Sequence, residues 1–466
     1  MREAWRLSAA ELGEAYARGE TDPITVLETI EARIEQLNPV LNAIICRDAG
    51  AAAAARESAA RLHAGKARSA LEGVPFTVKD SILVAGLACT WGSRTMRDFV
   101  PREDELPVSR LRAAGAIVLG KTNVPEFTLE GYTTNALFGT TRNPWNPALT
   151  PGGSSGGAVA AVAAGLGPVA IGTDGGGSIR RPACHAGLVG LKPTIGRVAR
   201  GPSLPQILLD FEVIGPVART VADAALMFEV IAGTDPRDRR SLYGRDERRA
   251  GDPLKLLFVP RFGDAPVDSQ VLASVNDAAR VLAMQGVEVS EGELPFDLSP
   301  IVEFWPLLGQ VGVAHLLAQR PGGEALVGER MRAMAEEGRK IGAARYLAGI
   351  EAVDAFRRTV TDAFGRIDLI MTPAAAALPW PADQPYPETI DGKAVGPRGH
   401  AVYTGWVNAC GHPAIALPCA PSREGLPIGF QLVGRFGADE LLLAIARRYE
   451  SARPWAERWP ALAGAA

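Results

Sequence analysis

The sequence predicts an α/β fold, because segments typical of strands alternate with segments typical of helices along most of its 466 residues. Glycine-containing loops separate many of these segments, as at the loop that follows residues 116–119. The predicted strands lie within 71–80 and at 116–119, 254–259, 414–417 and 428–433. The predicted helices lie at 109–114, at 221–231 after the N-cap residue Thr220, and at 271–284 and 438–449.

Capping signals predict further helices before the first strand. Ser8 and Glu11 have the spacing of a capping box. Asp22, followed by a proline, is the N-cap of a second helix that is predicted to end before Pro39. An alanine-rich helix over 51–62 follows. These helices are expected to pack on the main body of the fold.

Composition and charge indicate a soluble globular protein that binds a small molecule. Apolar residues make up 47% of the chain, and the formal net charge of −3 gives no basis for binding nucleic acid or an anionic membrane. The longest low-polarity run, 158–172, is shorter than the roughly 20 residues that span a bilayer, and the N-terminus lacks a signal-peptide core. Five cysteines without a CxxC pair favour a reducing compartment. We therefore expect a cytoplasmic location.

Two glycine-serine loops dominate the middle of the chain. Residues 152–157 read Gly-Gly-Ser-Ser-Gly-Gly, and residues 172–178 read Gly-Thr-Asp-Gly-Gly-Gly-Ser. Such loops leave backbone NH groups free to point into a site. A flexible linker is the alternative reading of the first loop, but it leads directly into the apolar run 158–171, which is core material.

Residues 115–122 match the phosphate-binding formula GxxxxGK[ST] letter for letter. The four middle residues, Ala-Ile-Val-Leu, favour an extended strand, whereas a phosphate loop needs them to curl into a nest of NH groups. The sequence therefore argues against a nucleotide site here.

Residues 152–156 fit the GxSxG nucleophile elbow of α/β-hydrolases, with Ser154 as nucleophile. That elbow follows a buried strand, but three prolines within 143–151 exclude a central strand. It also requires a histidine; the candidates are His185, His315, His400 and His412, and a structural role is the commoner one for each. An esterase that uses Ser154 remains an alternative.

A buried lysine is another way to activate a serine, because desolvation lowers a lysine pKa toward neutral pH. Lys79 is the candidate, since it ends an apolar strand. Asp80 is its immediate neighbour, and an ordinary ion pair between the two is the competing interpretation.

Several ordered motifs resemble the amidase signature family. They are residues 73–80, 120–123, 143–145, 152–178, 187–194, 408–414 and 425–434. The resemblance covers most of the chain and is weakest between about 235 and 400. It implies a Ser-cisSer-Lys triad, in which Ser178 is the nucleophile, Ser154 the bridging serine on a cis peptide and Lys79 the base. It also implies an oxyanion hole formed by the backbone NH groups from Gly175 to Ser178, with Gly175, Gly176 and Gly177 as its glycines.

The resemblance implies a large mixed β-sheet core covered on both faces by helices, in a single domain over 1–466. Within it we expect an N-terminal helical segment (1–70), a signature core (71–235), a variable substrate-pocket region (236–400) and a C-terminal return to the core (401–466). Residues 291–400 show little periodicity and contain several prolines, so we expect a partly mobile region over a pocket.

Four residues are predicted to contact substrate. Arg181, three positions after Ser178, lies where the family lines its acyl pocket, and an arginine there would favour a carboxylate or polar acyl group; a solvent-facing arginine is the alternative. Phe127, Trp305 and Trp406 are aromatic candidates, with Tyr403 a further hint. Asp174 and Arg180 are interpreted as a structural pair that braces the second loop.

The function that the resemblance implies is hydrolysis of a carbon–nitrogen amide bond of a small molecule through a serine acyl-enzyme, with water and without metal or cofactor. A homodimer is a further expectation. A carbamate or ester hydrolase is one alternative, and the glutaminase subunit of a tRNA-dependent amidotransferase is another. A glutaminase of this family is expected to carry, shortly before Asn408, an acidic residue that binds glutamine. No such residue is apparent, which disfavours the glutaminase.

Overall fold

A computed structural model describes residues 3–242 and 253–464. Most of its strands belong to one sheet, and two short hairpins lie outside it. The strands are β1 (Ile44–Arg47), β2 (Pro75–Lys79), β3 (Ile117–Thr122), β4 (Thr134–Asn135), β5 (Gly139–Thr140), β6 (Val169–Asp174), β7 (Val189–Lys192), β8 (Val213–Ala218), β9 (Lys255–Phe258), β10 (Glu288–Glu291), β11 (Leu369–Pro373), β12 (Thr389–Ile390), β13 (Lys393–Ala394), β14 (Ala414–Pro418) and β15 (Gly429–Gly434).

The main sheet is mixed and, over the described ranges, contains 11 strands in the order β1-β3-β2-β6-β8-β7-β14-β15-β11-β9-β10. Strand β2 is parallel to both of its neighbours, whereas β8 is antiparallel to β6 and β7. Helices pack against this sheet along its length. The prediction of an α/β fold with a large mixed sheet is confirmed.

The helices include every helix that the sequence predicts, with ends displaced by a few residues. They are α1 (Ala9–Ala17), α2 (Pro23–Leu41), α3 (Ala51–His63), α4 (Leu106–Ala113), α5 (Gly156–Ala163), α6 (Arg180–Ala186), α7 (Val221–Ile231), α8 (Ser269–Met284), α9 (Ser299–Ala318), α10 (Glu329–Arg339), α11 (Ala343–Ala363), α12 (Gly405–Cys410), α13 (Asp439–Ala452) and α14 (Ala461–Gly464). Helix α5 is buried along its whole length and packs against β2, β6 and α6, so the run after the first glycine-serine loop is core, as predicted.

The capping predictions hold with one correction. Ser8 and Glu11 form a reciprocal capping box, and the Asp22 side chain accepts hydrogen bonds from the first turn of α2. Helix α2 does not end before Pro39 but continues to Leu41. Pro39 lies in the last turn and does not end the helix. Asn42 ends it, because this residue adopts the left-handed region with φ 49°.

The region 291–400 differs most from its prediction, because α9, α10 and α11 fill much of it. Pro306 lies inside α9, and the apolar residues of this helix are not confined to one face, which conceals the helical period in the sequence. Helix α9 is also long and apolar enough to meet a membrane-span test by length and composition, and 44% of its most apolar window is buried. A core helix can meet the same test.

The sheet brings the two predicted reactive segments to one edge. Strands β2 and β6 are parallel neighbours, with Phe76 opposite Val169 and Val78 opposite Ile171. The carboxyl ends of parallel neighbours reach the same edge of a sheet. Lys79, the last residue of β2, therefore lies beside Thr173, which precedes the second glycine-serine loop.

Candidate active site

Lys79 is fully buried at the end of β2. Its Nζ lies 2.8 Å from Ser154 Oγ, 2.8 Å from Thr173 Oγ1 and 3.1 Å from the Thr173 carbonyl oxygen. Burial lowers the Lys79 pKa to about 7, although the carboxylates of Glu212 and Asp174 act in the opposite direction. A large fraction of this amine is therefore neutral near pH 7 and able to accept a proton from Ser154.

Asp80 does not form the competing ion pair with Lys79. Its carboxylate lies 3.3 Å from Lys121 Nζ and accepts hydrogen bonds from Thr90. Lys121 is the lysine of the apparent phosphate-loop motif, and that stretch forms the buried strand β3 rather than a loop. The prediction that this stretch forms a strand is confirmed, which argues against a nucleotide site here, and Lys79 keeps its contact with Ser154.

Ser154 is buried in the first glycine-serine loop, and the Gly153–Ser154 peptide bond is cis, as the family resemblance implies. The NH group of Ser155 donates to the Ser178 carbonyl oxygen at 3.1 Å, which joins the first loop to the second. Gly153 is required by close packing, because a Cβ there would lie 2.7 Å from the Tyr132 carbonyl oxygen.

Ser178 lies at the end of the second loop, just before α6, and its side chain lines a cavity. The loop is fixed from both sides. Asp174 accepts hydrogen bonds from the NH groups of Gly177 at 2.7 Å and Ile179 at 3.1 Å. Across the loop, Thr404 Oγ1 donates to the Gly176 carbonyl oxygen at 2.8 Å.

Three backbone amides near Ser178 are available as donors. The NH groups of Gly175, Gly176 and Ser178 have no hydrogen-bond partner among residues 3–242 and 253–464, and these residues line the cavity. The NH of Gly177 is already donated to Asp174, and Gly177 is not part of the cavity wall. Of the predicted oxyanion donors, Gly177 therefore has its NH group engaged elsewhere, whereas those of Gly175, Gly176 and Ser178 remain available.

Asp174 and Arg180 form a fully buried ion pair at 2.9 Å, which confirms their interpretation as a structural pair. Burial alone would raise the Asp174 pKa, but the charge and hydrogen bonds of Arg180, with a hydrogen bond from Asn408, hold it well below its usual range. Arg180 also donates to Gln431 at 2.7 Å and to Asn408 at 2.6 Å, which ties the loop to the C-terminal part of the chain.

The cavity has a volume of about 870 Å³ and lies between the second loop, helix α9 and the segment 396–406. Its wall is partly apolar, with Ile301, Val302 and Trp305 on the α9 side. Polar groups converge on the wall near Ser178, among them Arg181 and Glu212. A concave site of this kind suits a small organic molecule.

A family model described as Amidase matches residues 25–443. The protein belongs to the amidase signature family. It is similar to a glutamyl-tRNA(Gln) amidotransferase subunit of Roseiflexus castenholzii, with 36% identity over 99% of this chain and 98% of the relative. It is also similar to an acylamidase of Rhodococcus erythropolis, with 34% identity over 98% and 97% of the two chains.

Solved structures agree with this assignment. A bacterial aryl acylamidase of the amidase signature family superimposes with a TM-score of 0.90 and 30% identity over 98% of both chains. A 6-aminohexanoate cyclic dimer hydrolase gives a TM-score of 0.88 and 29% identity over 99% and 100% of the two chains. This amidase signature enzyme therefore acts on carbon–nitrogen bonds, while its relatives include both hydrolases and amidotransferase subunits.

The predicted substrate contacts divide into two groups. Arg181, Trp305 and Trp406 of this amidase signature enzyme line the cavity. Phe127 does not, because its ring packs edge-on against Trp91 in the core, with ring centroids 5.3 Å apart. Phe127 adopts φ 52°, and the residues that follow it, 128–131, reach the wall instead.

Tyr403 is also absent from the wall. It is buried against Phe262, and its hydroxyl group donates to the Pro260 carbonyl oxygen at 2.9 Å. A single aromatic residue in the sequence does not indicate which face of the backbone its ring occupies, and both incorrect predictions have this cause.

Five charged or titratable residues of the wall are not predicted as site residues by the sequence. They are Glu130, Glu212, Arg330, Arg398 and His400. The sequence suggests His400 only as a base for an elbow serine. None of the five belongs to a motif that indicates a role in the site, and Arg330 and Arg398 lie in the region where the family resemblance is weakest.

The elbow alternative finds no support in the geometry. The segment before Ser154 is irregular, and no described hydrogen bond joins a histidine to Ser154 or Ser178. His185 Nε2 lies 3.2 Å from the Ala377 carbonyl oxygen, and His412 Nδ1 lies 3.0 Å from that of Gly434. These histidines have structural roles.

Asp174→Asn is expected to destabilise the protein by about 3–5 kcal/mol, because it leaves the buried Arg180 guanidinium without its counter-charge. The free energy of unfolding from denaturant titration checks this. Asp277→Asn is the matched control, since the Asp277–Arg453 pair is exposed and is expected to contribute about 0–1 kcal/mol. Equal losses in the two variants would contradict the role of Asp174.

Proposed function

We propose that the protein is an amidohydrolase that cleaves an amide bond of a small molecule through an acyl-enzyme on Ser178. One observation carries the proposal: Lys79 Nζ lies 2.8 Å from Ser154 Oγ, below a cavity that Ser178 lines. The two serine loops are joined by the hydrogen bond from the Ser155 NH group to the Ser178 carbonyl oxygen, which supports a relay between their hydroxyl groups.

The proposed acylation moves one proton along this relay. Neutral Lys79 accepts the proton of Ser154, Ser154 accepts that of Ser178, and the Ser178 oxygen attacks the amide carbonyl carbon. As the carbon–nitrogen bond breaks, the proton returns through Ser154 to the departing amine. Water then attacks the acyl ester by the same route, which releases the carboxylic acid and restores the Ser178 hydroxyl group.

The tetrahedral intermediate carries a negative charge on the former carbonyl oxygen. The free NH groups of Gly175, Gly176 and Ser178 are the proposed donors to that oxygen. In other acyl-transfer enzymes, removing one such donor costs about 2.7–4 kcal/mol of transition-state stabilisation. Asp174, by binding the NH groups of Gly177 and Ile179, holds the loop in the conformation that leaves these donors free.

The experiment that tests the proposal is covalent labelling of the active protein with a fluorophosphonate, followed by peptide mapping. Label is expected on Ser178. The rate of labelling is expected to rise with pH in parallel with the fraction of Lys79 that is neutral. A Ser178→Ala variant that still carries label on Ser154 would overturn the assignment and restore the elbow interpretation. Ser451, which is exposed and donates to a carbonyl oxygen within α13, is expected to stay unlabelled.

A glutaminase role is a second candidate, because the amidotransferase relative is similar to this chain over nearly its full length. The wall offers little for the amino group of glutamine. The segment 398–408 contains no acidic residue, and the wall carboxylates Glu130 and Glu212 already bind Arg330 and Arg200. Ammonia release from glutamine, compared with that from simple aliphatic and aryl amides, separates the two functions.

Esters and carbamates are further possible substrates, because the same acyl-enzyme chemistry cleaves them. A matched anilide, phenyl ester and phenyl carbamate with one acyl group would rank the three bond types by kcat/KM. The homodimer and the cytoplasmic location stay predictions from the sequence.

Glu212→Gln is expected to move the acidic limb of the pH–kcat/KM profile to lower pH. Glu212 Oε2 accepts a hydrogen bond from Thr173 Oγ1 at 3.2 Å, and Thr173 Oγ1 in turn binds Lys79 Nζ. The other groups that act on Lys79 are Asp174, which raises its pKa, and Arg200, which lowers it. Removing the negative charge of Glu212 favours neutral Lys79, so the amine becomes active at lower pH.

The pH–kcat/KM profile of wild type and variant on one uncharged amide measures this shift. Glu336→Gln is the control, because Glu336 is exposed on α10, and its profile is expected to coincide with that of wild type. An acidic limb that stays in place or moves to higher pH in Glu212→Gln would contradict the coupling between Glu212 and Lys79.

A further inference from the structure

The cavity wall carries more positive than negative charge. Three arginines line it, Arg181, Arg330 and Arg398, together with two carboxylates. Glu130 binds Arg330 at 2.6 Å, and Glu212 binds Arg200, which is outside the wall. Within the described ranges, Arg181 and Arg398 therefore have no carboxylate within ion-pair distance.

Arg181 is a buried charge without adequate partners. Its side chain is 5% exposed, and its Nε has no hydrogen-bond partner in the described part of the chain. Its Nη2 makes one long contact, 3.5 Å, to the Gly153 carbonyl oxygen. Burial and then the charge of Arg398 lower the Arg181 pKa to about 9, so the guanidinium remains charged at neutral pH. A buried charge of this kind is stable only with a counter-ion.

Arg398 lies over the Trp305 ring, with its Cζ atom 4.9 Å from the ring centroid. The indole extends from this arginine to the Ser178 loop. A Cβ atom on Gly176 would lie 2.7 Å from Trp305 Cζ2, and one on Gly405 would lie 3.6 Å from both Trp305 Cζ3 and Arg398 Nη2. The Arg398 guanidinium therefore lies roughly the width of one indole from the loop that holds the proposed oxyanion donors.

His400 adds a neutral side chain to the same wall. Both of its ring nitrogens are buried and have no hydrogen-bond partner among the described residues. Burial, with the charges of Arg181, His185 and Arg398, lowers the His400 pKa well below its ordinary value, so the ring is uncharged and adds no third cation. Two arginine cations on the wall that Ser178 also lines form a set that complements a carboxylate.

We propose that Arg181 and Arg398 form an anion subsite that binds a carboxylate group of the substrate, which places amides with a second, carboxylate-bearing end among the preferred substrates. This inference rests on the proposed amidohydrolase function. The substrate carboxylate supplies the counter-ion that the wall lacks, and Trp305 holds Arg398 in place by a cation–π contact.

The test compares 4-nitroanilides whose acyl groups have equal length and differ only at the far end. Succinyl and glutaryl anilides carry a carboxylate, and their carboxamide counterparts are neutral and nearly isosteric. A second pair carries the charge on the amine side, as 4-aminobenzoate and 4-aminobenzamide amides of one acyl group. The wild type is expected to prefer the charged member of at least one pair by about 10- to 100-fold in kcat/KM.

Arg398→Met and Arg181→Met are expected to reduce that preference by about tenfold or more, mainly through KM of the charged substrate. Because the readout is a ratio between two substrates of one enzyme, a general loss of activity or of folded protein does not mimic it. Arg358→Met is the matched control, since Arg358 is exposed on α11, away from the cavity wall, and the preference is expected to persist.

The outcomes separate the two proposals. Hydrolysis of the neutral and charged members at equal rates by the wild type would overturn the anion subsite and leave the amidohydrolase in place. A charge preference that survives both arginine variants would also overturn it. Failure to cleave any anilide, together with absence of fluorophosphonate label on Ser178, would instead contradict the proposed function.

Discussion

Ser178→Ala is expected to lower kcat for any amide substrate by about 10³- to 10⁶-fold, because no acyl-enzyme can form without the Ser178 oxygen. Ser154 is not expected to replace it. Its hydroxyl group is buried and bound to Lys79, whereas Ser178 lines the cavity. Steady-state kinetics on the best amide of a screened panel measures the loss.

Two controls accompany this variant. Ser451→Ala removes an exposed hydroxyl group and is expected to retain wild-type kcat. The unfolding midpoint of Ser178→Ala is expected to stay near that of wild type, because no side-chain hydrogen bond of Ser178 stabilises the described fold. Activity above a few per cent of wild type would exclude Ser178 as the nucleophile.

Lys79→Met is expected to lower kcat/KM by about 10²- to 10⁴-fold and to abolish the acidic limb of the pH profile. In the wild type, Lys79 accepts a proton only in its neutral form, and burial sets its pKa to about 7. Activity is therefore expected to rise as the pH increases through about 7 and to level off above it. Methionine occupies a similar volume but has no basic group.

The pH–kcat/KM profile from pH 5 to 9 checks both expectations. Lys340→Met is the control, because Lys340 is exposed after α10, and its profile is expected to match that of wild type. A Lys79→Met variant whose profile keeps its acidic limb, or whose rate is unchanged, would show that another group accepts the proton.

Local sequence was sufficient for features that depend on local chemistry. Glycine spacing located the two serine loops, and an apolar strand ending in Lys79 predicted a buried amine, which the structure contains. The strand character of 116–119 was enough to reject the phosphate-loop match, and β3 confirms it. The triad assignment itself came from the family resemblance and stays a proposal.

Features that depend on distant contacts were missed. Glu212 reaches Lys79 through Thr173, and Arg398 meets Trp305 only because α9 packs near the segment 396–406. Phe127 is predicted to contact substrate but packs in the core, and its left-handed φ is not readable from sequence. Helix α9 was missed because its prolines and its apolar residues on all sides obscure the 3.6-residue period.

Helix α9 contributes one wall of the cavity, whereas Lys79 ends strand β2 and Ser178 lies in the loop that follows β6. The residues proposed to transfer protons and much of the cavity wall thus belong to different elements of the fold. Substitutions at Val302 or elsewhere on the cavity face of α9 can alter which molecules fit without moving the amine or the two hydroxyl groups. Such a division allows one reaction to be retained while its specificity diverges, and it makes α9 the natural segment for directed evolution toward new amides.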